Sequence, residues 1–170
     1  MTMVTDTVMD YPSGRIADAL AIFHDGYNCA QSVLYAFRQE CGLPEDAALK
    51  IACGFGSGIA RTGKLCGALS GGIMVLGLRH GRGLHDDRSA RDMTYSRTTS
   101  LLHGFIERHG SADCRELLGG LDLSVETGRS EFRQSGMLEK VCSGCVAGVV
   151  ELLEKDDFEA LRVGEEVSDE

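Results

Sequence analysis

Apolar residues recur at helical spacing along most of the chain. Ile16, Ala19, Leu20 and Phe23 share one face of a helix expected to open at Ser13 and to end at Gly26. Val33, Leu34 and Phe37 form the stripe of a second helix, opened by Asn28 as N-cap and closed by Gly42 and Pro44. Pro44 starts a third helix through "EDAALKIA". A fourth spans roughly Cys66 to Arg79. A long fifth fits "DDRSARDMTYSRTTSLLHGFIERHG", capped by Asp86 or Asp87. "DCRELLG" reads as one or two helical turns. A last helix starts near Glu131 or Leu138 and runs to Leu153 or beyond, with a break near Ser143 and Gly144. No run alternates cleanly between apolar and polar residues, so strands are not expected. The pattern predicts an all-α fold: a compact single-domain bundle of about five to seven helices, with a glycine-rich loop before the central one. Residues 1–12 read as a flexible N-terminus, 13–157 as the helical domain and 158–170 as an acidic, partly disordered tail.

The stretch "GFGSGIARTGKLCGALSGG", Gly54 to Gly72, breaks this rhythm. Gly58 to Leu65 matches G-x-x-x-x-G-K and then fails, because Leu65 stands where a phosphate loop needs a metal-binding hydroxyl. The preceding "ALKIACGF" reads as a helix end, not as a buried strand. Nucleotide binding is therefore not expected. Each glycine inside a helix costs about 1 kcal/mol, so Gly67, Gly71 and Gly72 together predict that another backbone or a ligand lies very close.

Charge and composition narrow the partners. A net charge of −9 argues against nucleic acid or an anionic membrane as the main partner. The apolar run Leu65 to Leu78 falls short of the ~20 residues that cross a bilayer, and "MTMVTDTVMDYPSGR" lacks the features of a secretory signal. The expected address is the cytoplasm. Thiols there stay mostly reduced, yet the chain holds seven: Cys29, Cys41, Cys53, Cys66, Cys114, Cys142 and Cys145. That number suggests metal ligands or redox centres among them.

Placement singles out some of them. Cys66 and Cys29 both fall at helix starts, where unpaired N–H groups and the dipole favour thiolate. "CSGC" pairs Cys142 with Cys145 near a helix start or kink. It lacks the second half of a zinc motif, and Val146 stands where haem attachment needs histidine. Cys41 and Cys53 read as structural residues at helix ends. Among the histidines, His80 and His85 suit a solvated loop, His103 the core side of the fifth helix, and His109 that helix's C-terminus.

Four segments in order, "GYNCAQSVLYAF", "GFGSGIARTGKLCGALSGGIMVLGL", "FIERHGSADCRELLGG" and "VCSGCVAGVVELL", resemble the redox-active C_GCAxxG_C_C family. "CGALSG", Cys66 to Gly71, is its motif as it stands here. The resemblance covers roughly residues 15 to 155. It implies four recurrent cysteines, which fall on Cys29, Cys66, Cys114 and Cys142, with Cys145 a rival for the last position.

Four cysteines match the ligand count of an iron–sulfur cluster. The leading expectation is a cluster held by Cys29, Cys66, Cys114 and Cys142 or Cys145, with the backbone at Gly63, Gly67 and Gly71 close to it, serving electron transfer to a redox partner. The alternative is a thiol–disulfide protein with Cys66 as attacking thiolate and Cys29 among its resolving partners. A third reading is a zinc or small-ligand module without redox turnover. The glycine-rich fourth helix has two candidate partners, the rest of the chain or a second copy of it.

Overall fold

The helix that follows Asn28 sits at the centre of the molecule. A computed structural model describes the backbone of residues 14–166 and the side chains of residues 14–156. The helices are α1 (Arg15–His24), α2 (Cys29–Ala36), α3 (Glu45–Ala52), α4 (Gly67–His80), α5 (Arg88–His109), α6 (Cys114–Leu117), α7 (Glu126–Ser135) and α8 (Ser143–Glu166). Among the described residues there is no strand, and the protein is all-α. Ser13, residues 1–12 and the end of the acidic tail lie outside the described residues; the backbone of α8 is helical to Glu166.

Asn28 caps α2 on both sides. Its Oδ1 accepts from the N–H groups of Ala30 and Gln31, both at 3.0 Å, and Gln31 Oε1 accepts from the Asn28 N–H at 2.9 Å. This reciprocal box satisfies donors that a helix start otherwise leaves open. The Asn28 amide also donates to the Cys53 carbonyl at 2.8 Å, and Gln31 Nε2 to the Leu49 carbonyl at 2.9 Å. The start of α2 is thereby tied to α3 and the turn after it.

α2 is packed by α1, α3 and α4, and α4 in turn by α5 and α8. The glycines of α4 make this possible. A Cβ added at Gly71 would lie 2.7 Å from the Ala30 carbonyl of α2, and one at Gly72 2.7 Å from Val149 Cγ1 of α8. The small residues on α4 face partners on two sides, and the helix packs inside the chain. Phe37, Leu34, Leu69, Leu76, Phe105, Val146, Val149 and Leu153 fill the main core. Arg79 closes one end of it. Its guanidinium lies over the Phe37 ring at 4.9 Å, donates to the Leu153 carbonyl at 3.1 Å and pairs with Glu40. A second, smaller core joins Cys114, Leu118 and Leu123, with Phe132, Met137, Val141 and Cys142 packed against it.

The last third of the chain departs from the sequence pattern. Of the two expected starts of the last helix the later one holds: Glu131 lies inside a separate α7, which ends at a turn at Gly136 with φ +71°, and a π-helical turn at Leu138–Cys142 leads into α8. Gly136 accepts the left-handed conformation that ends α7.

The glycine-rich loop holds another departure. Ser57, Gly58, Ile59, Ala60 and Arg61 are all left-handed, with φ between 49° and 70°. Left-handed backbone costs a non-glycine residue about 1–2 kcal/mol, so this turn is held in place by its surroundings. The Ala60 N–H donates to the Gly54 carbonyl at 3.0 Å, and the Lys64 N–H and Thr62 Oγ1 both donate to the Gly58 carbonyl, at 3.0 and 2.6 Å. Among the described residues no helix is long and apolar enough to cross a membrane.

Candidate functional site

Five cysteines meet at the junction of the two cores. Cys29, Cys66, Cys114, Cys142 and Cys145 line one small cavity with Gly67, Leu117, Leu118 and Val141. They come from four separate segments, and each is placed by local structure. Cys29 is the first residue of α2, fixed by the Asn28 box. Cys66 is the N-cap of α4. Cys114 opens α6. Cys142 ends the π turn and Cys145 lies in the first turn of α8, and a three-residue offset sets them on one face.

Cys66 and Cys114 are brought together by a short antiparallel bridge between Leu65 and Asp113. The Cys66 N–H donates to the Ala112 carbonyl at 2.8 Å, the Cys114 N–H to the Lys64 carbonyl at 2.8 Å, and the Arg115 N–H to the Gly63 carbonyl at 3.1 Å. The left-handed turn presses on this bridge from outside. A Cβ at Gly58 would lie 2.7 Å from Cys114 Cβ. A Cβ at Gly67 would lie 3.1 Å from Cys29 Cβ and 3.1 Å from the Phe55 carbonyl. Gly67 thus admits Cys29 to the cavity wall. Gly63 lies against Arg115, and Gly71 against the α2 backbone one turn beyond the cavity.

The sulfurs divide electrostatically. The neighbouring Cys145 thiol pulls the Cys66 pKa below the ordinary thiol value. Burial opposes the shift; the Ala68 and Leu69 N–H groups at the start of α4 reinforce it. The other three shifted thiols go up. Cys29 is raised well above the ordinary range, first by the neighbouring Cys142 and then by burial. Burial pushes Cys114 up to about 12, helped by the negative charge of Cys66. Cys145 is raised by the neighbouring Cys66 and by burial. Cys66 is only 4% exposed, whereas Cys29 and Cys142 are half-buried. Among the described residues no group of three or more His, Cys, Asp or Glu side chains stands ready to hold a metal ion.

The remaining candidates lie elsewhere. Cys41 packs at the edge of the main core and Cys53 is exposed. His103 is exposed, not core-facing, because the buried face of α5 is carried by Leu101 and Phe105. His109 ends α5 with its ring tilted 39° against that of Phe105, centroids 4.5 Å apart, and burial lowers its pKa. His80 ends α4, half-buried and 3.7 Å from Asp156, so it is not a loop residue. His24 was not singled out by spacing. Its Nε2 meets Glu139 Oε1 at 2.8 Å, which ties α1 to the π turn that delivers Cys142.

A model of the family described as "Putative redox-active protein (C_GCAxxG_C_C)" matches residues 27–155. A protein of Archaeoglobus fulgidus, named "Uncharacterized protein", is 29% identical over 119 residues, which cover 65% of this chain and 79% of the relative. No solved structure matches. All five cavity cysteines lie inside the matched residues, and on that match the chain belongs to the redox-active C_GCAxxG_C_C family.

Proposed function

We propose that the chain is an electron-transfer protein whose cysteine cavity holds an iron–sulfur cluster. The observation that carries this reading is the convergence of five sulfurs from four segments on one small, apolar-walled cavity. The donor chemistry suits the group, since thiolates are the usual cluster ligands. Cys29, Cys66, Cys114 and one or both of Cys142 and Cys145 would hold it. When bound, a cluster supplies a site that gains and loses single electrons.

The chain's own residues support that task. Negative charge on Cys66 or Cys142 disfavours ionisation of Cys29, Cys114 and Cys145, so several thiolates together need a positive centre among them. The Ala68 and Leu69 N–H groups steady negative charge on Cys66. The burial of Cys66 keeps a protein disulfide from reaching its sulfur, which weighs against direct thiol exchange there. Electron transfer does not need that contact.

Protein purified without oxygen is expected to contain iron and acid-labile sulfide in equal amounts, with visible absorption that bleaches on reduction. Cys66→Ser is expected to lose both while retaining helical circular dichroism. Protein made this way with neither iron nor sulfide, or with zinc alone, would sink the cluster reading.

A second reading rests on Cys29 and Cys142. The two residues line the same cavity walls and both are half-buried. Such a pair can become one disulfide while an incoming disulfide becomes two thiols, with two electrons and two protons passing to it. Colourless protein in which Cys29 and Cys142 form a reversible disulfide would favour this route.

A further inference from the structure

Beside the cysteine cavity lies a second cavity of about 160 Å³, which the electron-transfer reading leaves without a role. Its walls are mainly apolar: Phe23, Leu118, Leu123, Phe132 and Leu138. No Asp, Glu, Lys, Arg or His lines it. Cys29, Cys114 and Cys142 line both cavities. Two hydroxyl residues, the exposed Tyr27 and the half-buried Ser57, also border it. The Asn28 amide on the same wall is already engaged by Ala30, Gln31 and Cys53.

We infer that this cavity is a binding site for a neutral, single-ring aromatic molecule carrying one oxygen substituent, of the phenol class. Size sets the ring count, since an apolar cavity of roughly 150 Å³ takes one benzene. Wall chemistry sets the charge, because a lining without Asp, Glu, Lys, Arg or His gives an ionised ligand no counter-charge for the hydration it gives up against the apolar walls. The aromatic walls and the cysteine sulfurs favour a flat ring through edge and sulfur contacts. The hydroxyl of Tyr27 or Ser57 gives the oxygen substituent a partner. The inference stands on the cavity and does not depend on the cluster.

The test is calorimetric titration of the full chain with phenol, toluene and benzoate, with iron and sulfide assayed on the same samples. Phenol and toluene are expected to bind and benzoate not to. Leu138→Trp fills the cavity and is expected to abolish both interactions. Tyr27→Phe, which keeps the ring, is expected to weaken phenol about fivefold, the loss of one neutral hydrogen bond, and to leave toluene within about twofold. If Tyr27→Phe changes neither ligand, the hydroxyl contact falls to Ser57, and the Leu138→Trp result decides the site. The proposal is overturned if neither phenol nor toluene binds, if benzoate binds as well as phenol, if a folded Leu138→Trp binds like the parent, or if iron loading abolishes binding. Iron-free protein that binds toluene supports the site and counts against the cluster. Iron-containing protein that binds neither ligand does the reverse.

Discussion

Cys145 and Cys66 share one wall of the cysteine cavity, and their proximity moves the two acidities in opposite directions. Cys66 stands at the N-cap of α4 and Cys145 in the first turn of α8, so two helix starts meet at that wall. Cys66 becomes the most readily ionised of the shifted cavity thiols.

Removing the Cys145 thiol should weaken that preference. In metal-free, reduced protein, Cys145→Ala is expected to raise the Cys66 pKa, although the Ala68 and Leu69 N–H groups keep part of the effect. The ultraviolet absorbance of thiolate, followed against pH with Cys66→Ser as blank, reads this directly. An unmoved titration would show that the Cys145 thiol does not set the acidity.

The raised thiols make stability depend on pH. Cys29, Cys114 and Cys145 keep their protons in the folded chain after an unfolded chain has released them, from about pH 8.5 upward. Above that point the unfolded state binds fewer protons, so stability falls as pH rises. Each such thiol contributes about 1.4 kcal/mol per pH unit until its folded pKa is reached. Cys66, depressed, has the opposite sign. Its contribution is complete above the unfolded pKa and is lost as pH falls through the folded value. Urea unfolding of reduced, metal-free protein should therefore show an alkaline decline, shallower in Cys114→Ala. Equal slopes in the two proteins would remove Cys114 from the buried set.

The left-handed turn should respond with opposite signs at two neighbouring positions. At Gly58, with φ +68°, an added Cβ meets Cys114 Cβ and the Lys64 nitrogen, both at 2.7 Å. Gly58→Ala is expected to cost about 2–4 kcal/mol. Ala60 is exposed with φ 49°, and Ala60→Gly should relieve up to about 1 kcal/mol. Urea midpoints decide this, and a destabilising Ala60→Gly would mean that the turn is not left-handed there.

Two glycines of α4 separate close packing from empty space. Gly71→Ala pushes a methyl into the Ala30 carbonyl of α2 and is expected to cost about 1–3 kcal/mol. A Cβ at Gly77 meets nothing within 4 Å, so Gly77→Ala should gain about 0.5–1 kcal/mol from helix propensity alone. Thermal melts of the two proteins should move in opposite directions.

Much of the helical frame was legible because its signals are local. Asn28 announces α2 through a cap and a Gln three residues on, and Asp87 caps α5, its Oδ1 accepting from the Ser89 N–H at 2.6 Å. Cys66 was readable as a helix start because a glycine loop gives way there to an apolar run. The sequence left Glu131 and Leu138 open as starts of the last helix, since Gly136 inside a polar stretch looks like any tolerated helix glycine until its backbone turns left-handed. The orientation of His103 was misjudged because neighbouring leucines suggest burial, while a helix buries only one side.

The amino-acid order by itself determined where the helices up to α5 begin and end and that Cys29 and Cys66 sit at helix starts, because caps and periodicity are decided among residues within about one turn of each other. Only the tertiary structure decided that Cys142 and Cys145 share a cavity with Cys29, Cys66 and Cys114, and that a second apolar cavity is lined by three of the same cysteines. Those arrangements depend on the Leu65–Asp113 bridge and on the close approach of α4 to α2, contacts between segments far apart along the chain that local rules do not encode.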